Sequence, residues 1–205
     1  IAHMTLGTYP ERVPESFLIS IQEDSIDDDF PIGRFQEIAQ KVGLDVANLA
    51  GGTIMDDFDN DGLLDIVTST WDPGGELLFY HNDGDGNFSN NTDLAGLSGQ
   101  LGGLNIVQTD YNNDGWLDIF VMRGGWLRSR GDMRVSLLRN NADGTFSDVT
   151  KTANLSRPAY PSQTSGCADY DNDGDLDLFS CNESEPESQF DSDVMKFPSQ
   201  LFRNN

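Results

Sequence analysis

Three stretches of this chain carry one acidic nonapeptide: Asp57-Phe-Asp-Asn-Asp-Gly-Leu-Leu-Asp65, Asp110-Tyr-Asn-Asn-Asp-Gly-Trp-Leu-Asp118 and Asp169-Tyr-Asp-Asn-Asp-Gly-Asp-Leu-Asp177. Oxygen-bearing side chains at alternate positions, a Gly and a further Asp are what a short loop needs to wrap a hard cation. Calcium takes about six to eight oxygens, so side chains at positions 1, 3, 5 and 9 with the position-7 carbonyl nearly fill its shell. Gly at position 6 allows a backbone conformation that a Cβ disfavours. An EF-hand shares the first six positions, but it closes its site with a bidentate Glu at position 12 between two helices. Here position 12 is Thr68, Val121 and Ser180, and none of these can do that. Each loop also runs into a short apolar, β-prone segment: Ile66-Val-Thr68, Ile119-Phe-Val121 and Leu178-Phe-Ser180. The expected setting is strand, loop, strand.

The elements that must position these loops repeat with them. A Phe-led motif recurs at Phe35–Leu44, Phe88–Leu97 and Phe146–Leu155, and its Phe precedes the loop's first Asp by 22, 22 and 23 residues. Tight-turn signals stand at Asn82-Asp-Gly-Asp-Gly-Asn87 and Asn140-Asn-Ala-Asp-Gly-Thr145. Units of 53 to 58 residues built from several short strands are the size of β-propeller blades, which bury their apolar faces only by stacking on one another. The fold expected is all-β, with three blade-like units at 35–87, 88–145 and 146–205. Gly-led strands (Gly51-Gly-Thr-Ile-Met55, Gly102-Gly-Leu-Asn-Ile-Val107, Ser165-Gly-Cys-Ala168) enter the loops, and Gly there lets backbones approach closely. Residues 1–34 lack the pattern and read as an arm or linker, with Ile1–Met4 read as a processing remnant. Leu201-Phe-Arg-Asn-Asn205 matches Leu137-Leu-Arg-Asn-Asn141, and propellers close with about four to eight blades. The expectation is a piece of a longer chain, the alternative being copies that complete one another.

Composition narrows the function classes. Net charge is −23 with pI near 4.1, and the three loops alone hold twelve Asp. With only twelve Lys plus Arg there is no basic surface for a phosphate backbone, which excludes nucleic acid. No apolar run approaches the roughly 20 residues that span a bilayer. Loops of this kind suit millimolar extracellular calcium, which points outside the cell. Sequons at Asn87, Asn90, Asn154 and Asn182 are candidate glycosylation sites. Cys167 and Cys181 bracket the third loop; a cross-strand disulfide clamping it and a pair of small buried thiols are both open.

Taken together, the acidic loops alternating with Leu-x-Arg-Asn-Asn-x-Asp-Gly-Thr-Phe-x-Asp-Val-Thr and Gly-Leu resemble FG-GAP/VCBS-type propeller repeats over residues 35–205. The flavour is similar to the cartilage-acidic-protein-like, ASPIC-type group of bacterial secreted proteins, with integrin α-subunit propellers more distant. The resemblance implies a secreted or surface-exposed propeller holding about three calcium ions, one per repeat, and used for adhesion, assembly or ligand binding. Its cation ligands fall on Asp57, Asp59, Asp61 and Asp65, on Asp110, Asn112, Asp114 and Asp118, and on Asp169, Asp171, Asp173 and Asp177. Position-7 carbonyls fall on Leu63, Trp116 and Asp175, the Asp175 side chain pointing away from the ion. Asn112 leaves the second site one charge short, so weaker calcium binding is expected there.

No catalytic constellation is visible. His3 and His81 are the only histidines, and nothing assembles a nucleophile with a base, so a non-enzymatic module is expected. The longer second unit contains Met122–Asp132, an ordinary surface loop or a ligand-binding insertion with Trp126 for stacking on sugar and Arg123, Arg128 and Arg130 for acidic groups. The function expected is an extracellular calcium-binding module with protein or carbohydrate partners. The alternatives are a self-associating subunit of a ring or filament and, with little support, a calcium-dependent polysaccharide-active enzyme.

Overall fold

The structure is a computed structural model that describes residues 13–14, 35–125, 133–184 and 197–204. The chain divides into two units, Ile1–Glu37 and Ile38–Asn205. Most of the expected arm, His3, Trp126, Arg128 and the Arg130–Asp132 tripeptide lie outside the described residues. All that follows concerns the second unit.

Among the described residues eleven strands form three antiparallel sheets. The first is β1 (Ala50–Asp56), β2 (Asp65–Thr70), β3 (Leu78–Asn82) and β4 (Phe88–Asn90). The second repeats it as β5 (Asn105–Thr109), β6 (Asp118–Met122), β7 (Ser136–Asn140) and β8 (Phe146–Asp148). The third contains β9 (Ser162–Ala168), β10 (Asp177–Asn182) and β11 (Gln200–Phe202). One four-residue helix, α1 (Ala39–Val42), is described. The architecture is all-β and blade-like, as the repeat period predicts.

The Phe-led motif spans sheets in a way its spacing does not show. Phe88 and Phe146 open the last strand of the sheet that precedes the next loop, so Phe-to-Phe units carry the right period but start inside a hairpin. The residues after each Phe make the turn to the next sheet: Ala95 N–H donates to Asn91 O and Leu97 N–H to Thr92 O, and Ala153 and Leu155 repeat both bonds. α1 with Gly43 and Leu44 is the first copy of this turn, its Leu44 N–H donating to Ala39 O.

Stacking explains why β6 is apolar throughout. Ile119 and Val121 face the first sheet, where they join Ile54, Val67, Phe79, Ile106 and Leu138. Phe120 and Met122 face the third sheet, with Leu137, Leu178 and Phe202. A strand covered on both sides has no polar face to alternate with. Phe58, Phe79 and Phe146 meet edge-on with centroids 6.0 to 6.1 Å apart, which seals the first interface beneath the first acidic loop.

Two expectations change. Cys167 pairs with Leu178 and Cys181 with Thr164, so the cysteines are offset by three positions and project from opposite faces. They are free thiols, and a disulfide between them is excluded by the register. Arg123 is no ligand arm. It is 5 % exposed, and its guanidinium donates to Leu101 O, Arg134 O, Ser136 Oγ and Gln100 Oε1. Of the four sequons, Asn87, Asn90 and Asn154 are exposed, while the Asn182 amide donates to Pro198 O.

Candidate metal centre

Each nonapeptide is the hairpin between the first two strands of its sheet. Its first Asp follows β1, β5 or β9, and its ninth is the first residue of β2, β6 or β10. The local geometry is the same three times. The position-1 carboxylate accepts the N–H groups of positions 5 and 6: Asp57 from Asp61 and Gly62 at 3.1 and 2.8 Å, Asp110 from Asp114 and Gly115 at 3.0 and 2.9 Å, and Asp169 from Asp173 and Gly174 at 3.1 and 3.0 Å. The position-5 carboxylate accepts the position-7 N–H, which fixes Leu63, Trp116 and Asp175. Gly62, Gly115 and Gly174 take φ of 89, 84 and 98°, in the left-handed region.

Position 4 carries a signal the ligand pattern skips. Asn60, Asn113 and Asn172 are also left-handed, at φ 58, 56 and 61°, a conformation Asn tolerates better than most residues. The side chains of Asn60 and Asn113 tie loop to loop. Asn113 Nδ2 donates to Gly174 O and to Asp175 Oδ1, both at 3.0 Å, and Asn60 reaches Gly115 O at 3.5 Å. The three loops therefore line one end of the stacked sheets, and the Asp175 side chain is turned toward its neighbour.

The ninth Asp does two jobs. Asp65, Asp118 and Asp177 are buried, and each accepts the position-2 N–H on one oxygen and the N–H of Asn82, Asn140 or Asn204 on the other. It bolts the loop to the third strand of its sheet. The same asparagines reach further: Asn140 Nδ2 donates to Phe58 O at 2.8 Å and Asn204 Nδ2 to Tyr111 O at 2.7 Å, so each clamps the preceding loop.

Charge accumulates in these loops beyond what hydrogen bonds offset. Single oxygens of Asp57, Asp59 and Asp61 lie within 4.8 Å of one another, as do those of Asp169, Asp171 and Asp177, and atoms of Asp59, Asp65 and His81. The second loop forms no such carboxylate group among the described residues, because position 3 is Asn112, whose Nδ2 donates to Asp114 at 2.8 Å. Burial pushes Asp118 up to about 7, with Asp114 and Asp110 adding repulsion against the N–H bonds that favour its carboxylate. Burial raises Asp65 in the same way.

A histidine and an arginine lean into two loops from the end of the third strand. His81 Nδ1 stands 3.4 Å from Asp59 and 3.2 Å from Asp65. Arg203 holds Asp171 at 2.8 Å and Asp173 at 3.1 Å. His81, Arg139 and Arg203 all precede the clamping Asn, a register visible in the sequence but carrying no meaning until the loop lies beneath it.

The sequence profile of the FG-GAP-like repeat family matches residues 57–121 and 124–180, well over half of the chain. The chain belongs to the FG-GAP-like repeat family. No curated protein matches it. The first match opens on the first acidic loop and takes in the second, and the second match ends three residues past the third loop.

Proposed function

We propose that this FG-GAP-like chain is a calcium-loaded module of the VCBS/ASPIC type that acts outside the cell in adhesion or ligand binding, is not an enzyme, and uses its cations structurally. The observation that carries the cation is Asp171. Its Oδ1 is buried and accepts no hydrogen bond, although Asp169 and Asp177 bring carboxylate oxygens within 4.8 Å. Arg203 engages only the other oxygen, Oδ2, so the orphaned Oδ1 facing two further carboxylates still lacks a positive partner. In the first and third loops Asp57, Asp59, Asp61 and Asp65, and Asp169, Asp171, Asp173 and Asp177, would hold the ion; Asp110, Asn112, Asp114 and Asp118 would do so in the second. All-oxygen donors suit calcium.

Titration calorimetry on chelated protein tests this. Saturable calcium binding is expected, weakest in the second loop, and Asn112→Asp should strengthen that site. Absence of saturable heat overturns the reading.

Arg203 should compete with the ion, since it occupies oxygens of Asp171 and Asp173. Arg203→Gln is expected to tighten the third loop about two- to fivefold, the scale of an exposed ion pair. Unchanged affinity at that loop would show that the guanidinium and the cation do not share oxygens.

Self-association is the second reading. Phe179 and Leu201, paired across β10 and β11, are 45 % and 52 % exposed on the outer face of the third sheet. Mass measurement with and without calcium separates it from a monomeric binding module.

A further inference from the structure

The second and third loops are joined through the same groups that shape them. Asn113 lies between Asn112 and Asp114, two oxygen donors of the second loop, and its Nδ2 crosses to the third. There it holds one end of the peptide unit between Gly174 and Asp175. Gly174 O accepts from Asn113 at 3.0 Å, while Asp175 N–H, at the other end, donates to Asp173 Oδ1 at 3.1 Å. Asp175 Oδ1 takes a second bond from the same Nδ2 at 3.0 Å, and Gly174 N–H is on Asp169 at 3.0 Å. A residue of the second loop therefore fixes the backbone between donor positions 5 and 7 of the third loop, although it supplies that loop with no ligand oxygen.

A second link runs between the buried ninth positions. Asp118 Oδ2 accepts Tyr111 N–H at 3.2 Å, Tyr111 O accepts Asn204 Nδ2 at 2.7 Å, and Asn204 N–H donates to Asp177 Oδ1 at 2.9 Å. Two residues thus connect Asp118 of one loop to Asp177 of the next. The first and second loops share this relay through Phe58 and Asn140. Their position-4 crossing is weaker, because Asn60 Nδ2 stands 3.5 Å from Gly115 O and meets no second acceptor among the described residues.

We propose that Asn113 and Asn204 couple the second and third loops, so that a calcium ion in one tightens the other; this rests on the cation reading of the loops given above. Without an ion, the carboxylates of a loop repel one another and the loop loosens. A loosened loop holds neither Asn113 nor the Gly174–Asp175 peptide at bonding distance, so the bonds between loops form fully only when both loops are ordered. The first ion orders one side of each bond, and the second ion finds it in place. The two links set a coupling of about three- to tenfold, equal in both directions. The second loop, one charge short at Asn112, fills after the third and binds better for it.

Charge acts in the opposite direction, since an ion in the third loop lowers the negative potential that draws one to the second. At physiological ionic strength that field is screened over about 8 Å. Neither Asn113→Gly nor Asn204→Ala changes a charge, so comparing backgrounds isolates the hydrogen bonds. Asn113→Gly also keeps the left-handed backbone, φ 56°, that the position requires.

The test titrates the whole chain with calcium and follows the amide resonances of Gly62, Gly115 and Gly174, one for each loop. Emptying the third loop with Asp171→Asn should raise the second loop's Kd about three- to tenfold. In the background of Asn113→Gly with Asn204→Ala, the same Asp171→Asn should move that Kd by less than about twofold, as for independent sites. Asn113→Gly alone should weaken the third loop and leave the first loop's Kd unchanged, which a general loss of structure would not do. An effect of Asp171→Asn on the second loop that is absent, or equal with and without the two asparagine side chains, overturns the coupling and leaves the cation sites standing. Absence of saturable shifts at Gly115 and Gly174 overturns the cation reading and the coupling together.

Discussion

In chelator the chain is expected to lose stability as pH rises from about 4 to about 7, and calcium is expected to reverse that trend. Asp118 is the reason. Its carboxyl is fully buried and pushed up from 3.8 to about 7, chiefly by desolvation. Between those values the folded chain binds more protons than the unfolded chain, so each step up in pH favours unfolding. One pKa unit corresponds to about 1.4 kcal/mol, which sets a ceiling of about 4 kcal/mol over the window. Asp65 is shifted in the same direction and adds the same sign. A divalent cation in the loop stabilises the carboxylate instead, so binding releases protons and strengthens as pH rises. Each site held at a hundredfold over its Kd contributes about 2.7 kcal/mol, and a chain of this size gains about 2–4 °C in Tm per kcal/mol. Three sites should therefore raise Tm by about 15–30 °C near pH 8 and by clearly less near pH 5. Melting curves with calcium and with chelator across that range decide it. A calcium gain that is absent, or that shrinks as pH rises, would contradict the assignment.

How much of this was legible in the sequence depends on how local each feature is. The nonapeptides announce themselves because every contact that shapes the loop lies within nine residues: Asp57 holds Gly62, and Asp61 holds Leu63. Their β flanks and their spacing were enough for an all-β repeat fold. What connects one repeat to the next was not legible. Asn140 reaches Phe58 across 82 positions and Asn204 reaches Tyr111 across 93, and both look like ordinary turn residues in the sequence. The cysteines show the same limit. Cys167 stands two residues before its loop and Cys181 four after it, and only the register that pairs Ala168 with Asp177 shows them three positions apart on opposite faces. Arg123 read as a surface cation because its four acceptors, Leu101, Arg134, Ser136 and Gln100, come from separate segments.

Gly52→Ala is expected to cost about 3 kcal/mol, the upper end of what overpacking a core costs. The strand pair β1–β2 slips register between Ala50 and Thr53, and Gly52 N–H turns to donate to Ser69 Oγ at 2.8 Å. That bulge presses Gly52 against the second sheet. A Cβ there would lie 2.5 Å from Ile106 N and 2.9 Å from Asn105 Cα, both backbone atoms that cannot rotate away. Relief requires the two sheets to separate, which opens the core shared by Ile54, Val67, Ile106 and Val121. Gly166→Ala is the control, because a Cβ at Gly166 meets nothing within 4 Å; its expected effect is within about 0.5 kcal/mol. Urea unfolding of the two variants measures the difference, and equal stability would mean that the sheets do not stack through this contact. The consequence should extend to the acidic loops. Asn140 of the second sheet holds Phe58 of the first loop, and Phe58 packs on Phe146 of the second sheet, so parting the sheets loosens the loop from below. Gly52→Ala should therefore weaken calcium at the first loop while leaving the third loop's affinity unchanged, since the third loop is clamped to the second by Asn113 and Asn204 on the far side of the stack.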